Sequence, residues 1–270
     1  MKLENKTILI TGAGSGLGRE LAYQLKNNQL ILVDINKMTL RETILNVKNK
    51  CIEYIMDCSI ENNWKNLHEF LKSKNALPDI IINNAARNMS DIDIENLDID
   101  DFRTIFNNNF YSVFFGSKEF ISDMKSKNSK CAIVNISSAL GFCAIAKAAA
   151  YNTSKFAINA FGQTLRQELK NTNILVSTVF PGSMPTNIAN NGLLAKDQEI
   201  TPKLLDMIEN FKKNSWTKTD KAATEIIKGI KRNKQRILIG LDAKLMDFAS
   251  RLTPVLYDII MLREAKKIFK

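Results

Sequence analysis

The chain is poor in the residues on which much hydrolytic and metal-dependent chemistry relies. It has one histidine, His68, in a stretch of helical periodicity (60–73) away from every motif. Its four cysteines (Cys51, Cys58, Cys131, Cys143) show no C-x-x-C spacing, so a His/Cys metal centre is not expected, nor is a serine–histidine triad. No run reaches the ~18 uncharged apolar residues of a membrane-spanning helix. The opening residues Met1-Lys-Leu-Glu-Asn-Lys6 pass straight into a strand-like segment without a signal-peptide core, so a cytoplasmic location is expected. Repeats, low-complexity tracts and linker-like stretches are also missing, which favours one domain for 270 residues.

What is present is ordinary in amount and uneven in placement. Apolar residues make up 45% and charged residues 24%, as in a soluble globular protein. The formal net charge is +10. Residues 1–202 carry 22 basic and 20 acidic side chains, whereas 203–270 carry 16 basic and 8 acidic. The basicity belongs to the tail.

Apolar runs alternate with helix-period segments. Lys6–Thr11, Gln29–Asp34, Cys51–Met56, Asp79–Asn83, Lys130–Ser137 and Asn173–Phe180 read as buried strands rich in Ile, Val and Leu, with a seventh at Arg236–Gly240. Helices are expected near 17–27, 37–48, 60–73, 99–126, 150–170 and 218–233. This alternation predicts an α/β, doubly wound, seven-stranded parallel sheet with helices on both faces.

The first strand ends at Thr11 and runs into Gly12-Ala-Gly14-Ser15-Gly16-Leu17-Gly18 at the start of a helix. Glycines there allow a tight turn and let a pyrophosphate approach backbone amides at the positive helix end. Asp34 closes the second strand, 16 residues past Gly18. A carboxylate at that place accepts hydrogen bonds from the adenosine ribose hydroxyls and repels a 2′-phosphate, which favours NAD over NADP. Tyr151 and Lys155 stand four apart on one predicted helix face, thirteen residues after Ser138. A cation there favours the phenolate and lowers the tyrosine pKa toward the working range of an acid/base catalyst.

The glycine motif, Asn83-Asn84-Ala85-Ala86, Asn109, Ser138, Tyr151-x-x-x-Lys155 and Pro181-Gly182 occur in an order that resembles the short-chain dehydrogenases/reductases, over roughly residues 5–187. One departure is Ala86, where that family usually has glycine. The resemblance implies a Rossmann-type fold and an NAD(P)-dependent enzyme that interconverts a secondary alcohol and a ketone. Tyr151 would be the general acid/base, Lys155 would tune it and hold the nicotinamide ribose, and Ser138 would bind the substrate oxygen. Asn109 would hold a water that relays protons to Lys155. Ser137 beside Ser138, and Asn107 and Asn108 beside Asn109, leave those two assignments open by a residue.

The resemblance also implies cofactor contacts from Asp57 and Cys58 around the adenine, Asn84 and Ala85 at the ribose, and Pro181, Gly182, Met184 and Thr186 around the nicotinamide. Met184 serves equally well as core. Residues 1–240 would form the catalytic domain, with 183–216 as a substrate lid of apolar inner surface. Phe142, Cys143 and Ile145 would wall a pocket for a small, mostly apolar carbonyl or alcohol, and Lys147 is the nearest cation. Helices near 99–126 and 150–170 resemble the pair through which the family forms dimers and tetramers. Residues 241–270 would add a basic amphipathic helical extension, broken at Thr253-Pro254. It would pack on its own subunit or a neighbour, or attach peripherally to anionic lipid; nucleic-acid binding is not expected, because no aromatic–basic interleaving accompanies the charge. The competing functions are an NADPH-dependent 3-oxoacyl-thioester reductase and a non-catalytic NAD-binding scaffold.

Overall fold

The structure is a computed structural model that describes residues 1–88, 91–185, 201, 205, 206, 209, 210, 213 and 215–268. Seven strands, β1 (Thr7–Thr11), β2 (Gln29–Asp34), β3 (Cys51–Ile55), β4 (Ile80–Asn83), β5 (Cys131–Ile136), β6 (Ile174–Pro181) and β7 (Arg236–Ile239), form one sheet in the order β3-β2-β1-β4-β5-β6-β7. Every pairing is parallel. Each strand falls within one residue of its expected limits, because a strand covered on both faces needs an unbroken apolar run. Ile8, Leu9 and Ile10 of β1 and Ile80, Ile81 and Ile82 of β4 are accordingly buried.

The helices cover both faces. On one side α1 (Gly16–Gln24) and, later in the chain, α7 (Thr219–Lys231) pack Leu17, Leu21, Ala222, Ile226 and Ile230 against Ile8, Ile10 and Val134. On the other, α3 (Glu61–Ser73), α5 (Ser112–Ser126) and α6 (Ala149–Glu168) bring Trp64, Leu67, Phe120, Met124 and Leu165 onto Leu9, Ile81 and Ile133. α2 (Lys37–Leu45) follows β2 and is capped by the Asn36 side chain, which accepts from the Met38 and Thr39 amides.

The expected helix over 99–126 is interrupted. α4 (Ile99–Phe106) passes through a π-turn at Asn107–Tyr111 before α5 begins. The Ser112 hydroxyl donates to the Asn108 and Asn109 carbonyls (2.7 and 3.1 Å), taking up acceptors of the turn. After β7, α8 (Leu241–Leu252) and α9 (Pro254–Ile268) are separated at Thr253, where a proline suits the first position of a new helix but not the interior of an old one.

Strand order reverses between β1 and β4, so the chain diverges above their carboxyl ends and leaves a crevice there. Thr11 fastens its two walls: its hydroxyl accepts from the amides of Asn84 (2.9 Å) and Ala85 (3.0 Å). Thr11→Val keeps the shape and orphans both amides. It should cost about 1–3 kcal/mol in urea unfolding; a loss below about 0.5 kcal/mol would mean that the amides find other acceptors.

Candidate active site

The glycine turn occupies one side of the crevice. Gly12 has φ +64°. A Cβ on Gly18 would lie 2.1 Å from the Gly12 carbonyl oxygen, a backbone atom that cannot move aside. Ser15 stands at the N-cap of α1, yet its side chain makes no capping hydrogen bond. The first amides of a nine-residue helix therefore face the crevice without a side-chain acceptor, which suits an anionic phosphate. Asp34 Oδ2 accepts from the Gly14 amide (2.8 Å) and Oδ1 from the Asn36 amide (2.9 Å). A carboxylate has about four lone-pair sites, so this anchoring leaves capacity for ribose hydroxyls. Arg19 is engaged elsewhere, by the Gly14 and Thr39 carbonyls, Thr43 and Glu42. These residues fit a dinucleotide.

Across the crevice, the Asn84 side chain donates to the Thr11 and Gly12 carbonyls (2.9 and 3.3 Å), joining β4 to the glycine turn. Below it lies a buried polar group that the sequence did not announce: Asn83 Nδ2 donates to Asn135 Oδ1 (2.9 Å) and to Ser117 (3.0 Å). After β3, the Asp57 carboxylate caps Ser59 through its amide and hydroxyl (2.8 and 2.7 Å). Cys58 turns its thiol into the core, and its carbonyl accepts from the Trp64 indole (2.9 Å). Met184 also packs against the core. Thr186 lies outside the described residues, as does most of the segment 183–216.

The remaining residues meet where β5 runs out against the N-terminal half of α6. The Ser137 hydroxyl donates to the Lys155 carbonyl (2.8 Å) and is used up in structure. Ser138 instead caps the short turn Ala139–Gly141, accepting from the Leu140 amide (3.1 Å), and stands close enough to Tyr151 to pull its pKa down. The two neighbouring hydroxyls thus have different surroundings. Asn109 is likewise separated from Asn107 and Asn108: it is the fully buried member of the three. Its Oδ1 accepts from the Arg87 amide (2.7 Å), and its Nδ2 donates to the Arg87 carbonyl (2.9 Å) and to Ser154 (3.0 Å) on α6.

Lys155 is only 2% exposed and donates to the Ile136 carbonyl (3.2 Å). Its ammonium lies over the Tyr151 ring, 5.5 Å from the centroid. The expected lowering of the tyrosine pKa is not found. Burial raises Tyr151 to about 12, with the Ser138 hydrogen bond working against it. Burial also lowers Lys155 to about 7. A low-dielectric seam penalises both charged forms, and the depressed lysine is a weak source of positive field.

The loop after β6 is held from an unexpected quarter. Asp242, in the first turn of α8, accepts from the Ser183 amide (2.6 Å) and hydroxyl (2.8 Å) through Oδ2. Ser183 in turn takes the Trp216 amide (3.1 Å) on its hydroxyl and the Thr217 amide (3.3 Å) on its carbonyl. Gly182 leaves no room for a Cβ, which would meet Asp242 Oδ1 at 2.1 Å. Asp242 carried no signal beyond its closeness to the last strand. Phe142, Cys143 and Ile145 are placed otherwise than expected: they join Leu140 in a cluster beneath Tyr257 and Met261 of α9, and Phe142 also meets Phe180. Lys147 is paired with Asp91 (3.2 Å).

This geometry agrees with what the chain resembles. Residues 6–196 match the model of the short chain dehydrogenase family. SadH of Mycobacterium tuberculosis is 27% identical over 286 residues, which cover 98% of this chain and 97% of its own. The 3-oxoacyl-[acyl-carrier-protein] reductase FabG of Buchnera aphidicola is 29% identical over 71% of this chain and 78% of its own. Among solved structures, a short-chain dehydrogenase/reductase from Burkholderia phymatum in complex with NAD superposes with a TM-score of 0.81 at 23% identity, covering 88% of this chain and 90% of that one. The chain belongs to the short-chain dehydrogenase family. It is an NAD(P)-dependent dehydrogenase/reductase acting on CH–OH or C=O groups.

The Lys155 shift has a thermodynamic consequence. Folded, this amine takes its proton near pH 7; unfolded, it does so near its ordinary 10.5. Between those values the unfolded chain binds more protons, so stability climbs as pH rises through the window and the penalty is complete below it. Urea unfolding from pH 7 to 10 should show wild type gaining about 1 kcal/mol per pH unit over Lys155→Met. Parallel profiles would mean that water reaches the amine.

Proposed function

We propose that the chain is an NAD-dependent oxidoreductase that moves hydride between C4 of nicotinamide and the carbon of a secondary alcohol or ketone, with Tyr151 as general acid/base. The observation that carries this reading is the convergence of Ser138, Tyr151 and Lys155 on the β5–α6 seam, beside an α1 N-terminus without a side-chain cap. The nicotinamide, when bound, supplies or accepts the hydride. Gly12, Gly14, Ser15, Gly16, Leu17 and Gly18 would hold the pyrophosphate, Asp34 the adenosine ribose, Asp57 and Cys58 the adenine, and Asn84 and Ala85 the other ribose. Pro181, Gly182, Met184 and Thr186 would surround the nicotinamide. Asp34 with Arg19 engaged elsewhere supports NAD over NADP, and the Burkholderia relative is an NAD complex.

Each polar group has a task that its contacts permit. The Ser138 oxygen accepts from the Leu140 amide, and its hydroxyl would turn its proton from Tyr151 to a substrate oxygen that gains alkoxide character. Tyr151, a protonated phenol at neutral pH whose pKa burial raises further, is ready to give a proton to that oxygen during ketone reduction. For alcohol oxidation it must first lose that proton, and Lys155 stabilises the phenolate when charged. Asn109, tied to both Arg87 and α6, would fix the path along which protons reach Lys155.

The wider organisation follows. Residues 1–240 would be the catalytic unit, 183–216 the cover over a small, mostly apolar carbonyl or alcohol, and 241–270 an extension. Phe102, Phe106, Phe110 and Phe114 follow one another at one-turn spacing with successive ring centroids 5.2–6.3 Å apart, and Tyr111 and Phe156 are exposed nearby. Such an aromatic helix face supports a homodimer or homotetramer through α4, α5 and α6. A cytoplasmic location fits four free, largely buried thiols. FabG similarity keeps an NADPH-dependent 3-oxoacyl-thioester reductase as the second reading.

Tyr151→Phe should abolish turnover while NADH binding stays nearly unchanged; residual activity above a few per cent would refute the role assigned to the phenol. In a screen of ketones and alcohols, turnover with NADH should exceed turnover with NADPH by at least about tenfold. The reverse order, together with activity on an acyl thioester, would establish the second reading.

A further inference from the structure

The last two helices are locked in place by one face and apolar on the other. On α8, Ala243 is buried, Asp242 binds Ser183, and Asp247 binds Arg236 at the start of β7. The opposite stripe, Leu241, Leu245, Phe248 and Leu252, repeats at helical spacing with 61–65% of each residue exposed. On α9, Tyr257, Met261 and Ala265 are buried one turn apart. Yet Val255, Leu256, Ile259, Ile260 and Leu262 are exposed, and Asp258 is the one charged residue between 254 and 262. A helix apolar all round is normally covered all round. These side chains cannot turn inward without breaking the ties of Asp242, Asp247 and Tyr257.

Charge decides what covers them. Lys244, Arg251 and Arg263 are exposed along the same two helices, Arg251 also pairing with Asp247 (3.2 Å), and Asp258 is the one exposed acid among their described side chains. A second copy of this face would bring like charge against like charge. A surface of negative headgroups over hydrocarbon complements both features. We propose that the outer face of α8–α9 docks the protein on an anionic lipid bilayer, with Phe248, Leu252, Val255 and Ile259 entering the acyl boundary and Lys244, Arg251 and Arg263 at headgroup level. No helix among the described residues is long and apolar enough to cross a membrane, so the attachment is peripheral.

The test is flotation of the full chain with vesicles of phosphatidylcholine alone and of phosphatidylcholine mixed with phosphatidylserine, with mass followed by light scattering. Binding to the mixed vesicles should exceed binding to neutral ones by at least about tenfold and weaken with added salt. Phe248→Glu with Ile259→Glu should remove it while the melting temperature and NADH affinity stay constant. Lys244→Glu with Arg263→Glu, which leaves the apolar stripe intact, should remove the preference for negative lipid and tests the same surface if the first pair fails to fold. No flotation, flotation indifferent to headgroup charge, or an assembly that loses mass in Phe248→Glu/Ile259→Glu without any vesicle binding would each overturn the proposal. The readout does not depend on the substrate or cofactor assigned above.

Discussion

Everything at the candidate active site depends on α6 being held hard against the end of β5. The seam is made of backbone carbonyls and small polar groups. Ser137 donates to the Lys155 carbonyl, the Lys155 amine to the Ile136 carbonyl, and the Asn159 side chain to the Gly141 carbonyl (3.0 Å). Gly141 is required at this contact, since a Cβ there would meet the Ser137 hydroxyl at 2.2 Å and the Lys155 carbonyl at 2.7 Å. From the far side, Asn109 ties α6 to the stretch following β4. These bonds fix the height of Tyr151 relative to Ser138 to within a fraction of a helical turn. They also exclude water from an amine that would be better solvated, so part of the chain's stability is set against a site whose groups are uncomfortable by construction.

That discomfort explains why the electrostatics were harder to read from sequence than the fold. Apolar runs such as Ile8–Ile10 and Ile80–Ile82 announce their strands because a parallel sheet buries both faces, and no competing pattern imitates them. The glycine turn and Asp34 are equally legible, since only a backbone that comes close to a ligand needs so many residues without side chains. Tyr151 and Lys155 were legible as neighbours, but not in the balance between their charge interaction and their desolvation. That balance depends on packing from β5 and α6 together. The π-turn at Asn107–Tyr111 was invisible because it arises from bonds made by Ser112 and Asn109, neither of which departs from helical periodicity. Ser138 and Ser137 are chemically identical in sequence, and only the direction of one hydroxyl separates them.

Cys143 and Phe142 show a different kind of error. Their position between Ser138 and Tyr151 suggested a pocket wall, because nothing local tells which surface the C-terminal helices cover. Tyr257 and Met261, more than a hundred residues later, claim that surface instead. A contact of such long sequence separation has no local signature. The match to SadH covers 98% of this chain and therefore runs on into its C-terminal helices.

Asp242 shows what that architecture does for the chain between Ser183 and Trp216. By gathering Ser183 and, through it, Trp216 and Thr217, one carboxylate closes a long excursion at its neck. The entropy of bringing two such ends together grows only slowly with the number of residues between them, so the cost of closure is almost the same for a short excursion as for a long one. Once the neck is closed, the length and composition of the intervening segment can change at little thermodynamic expense. The intervening segment is thereby free to diverge, while the residue that makes this possible sits in a helix outside it.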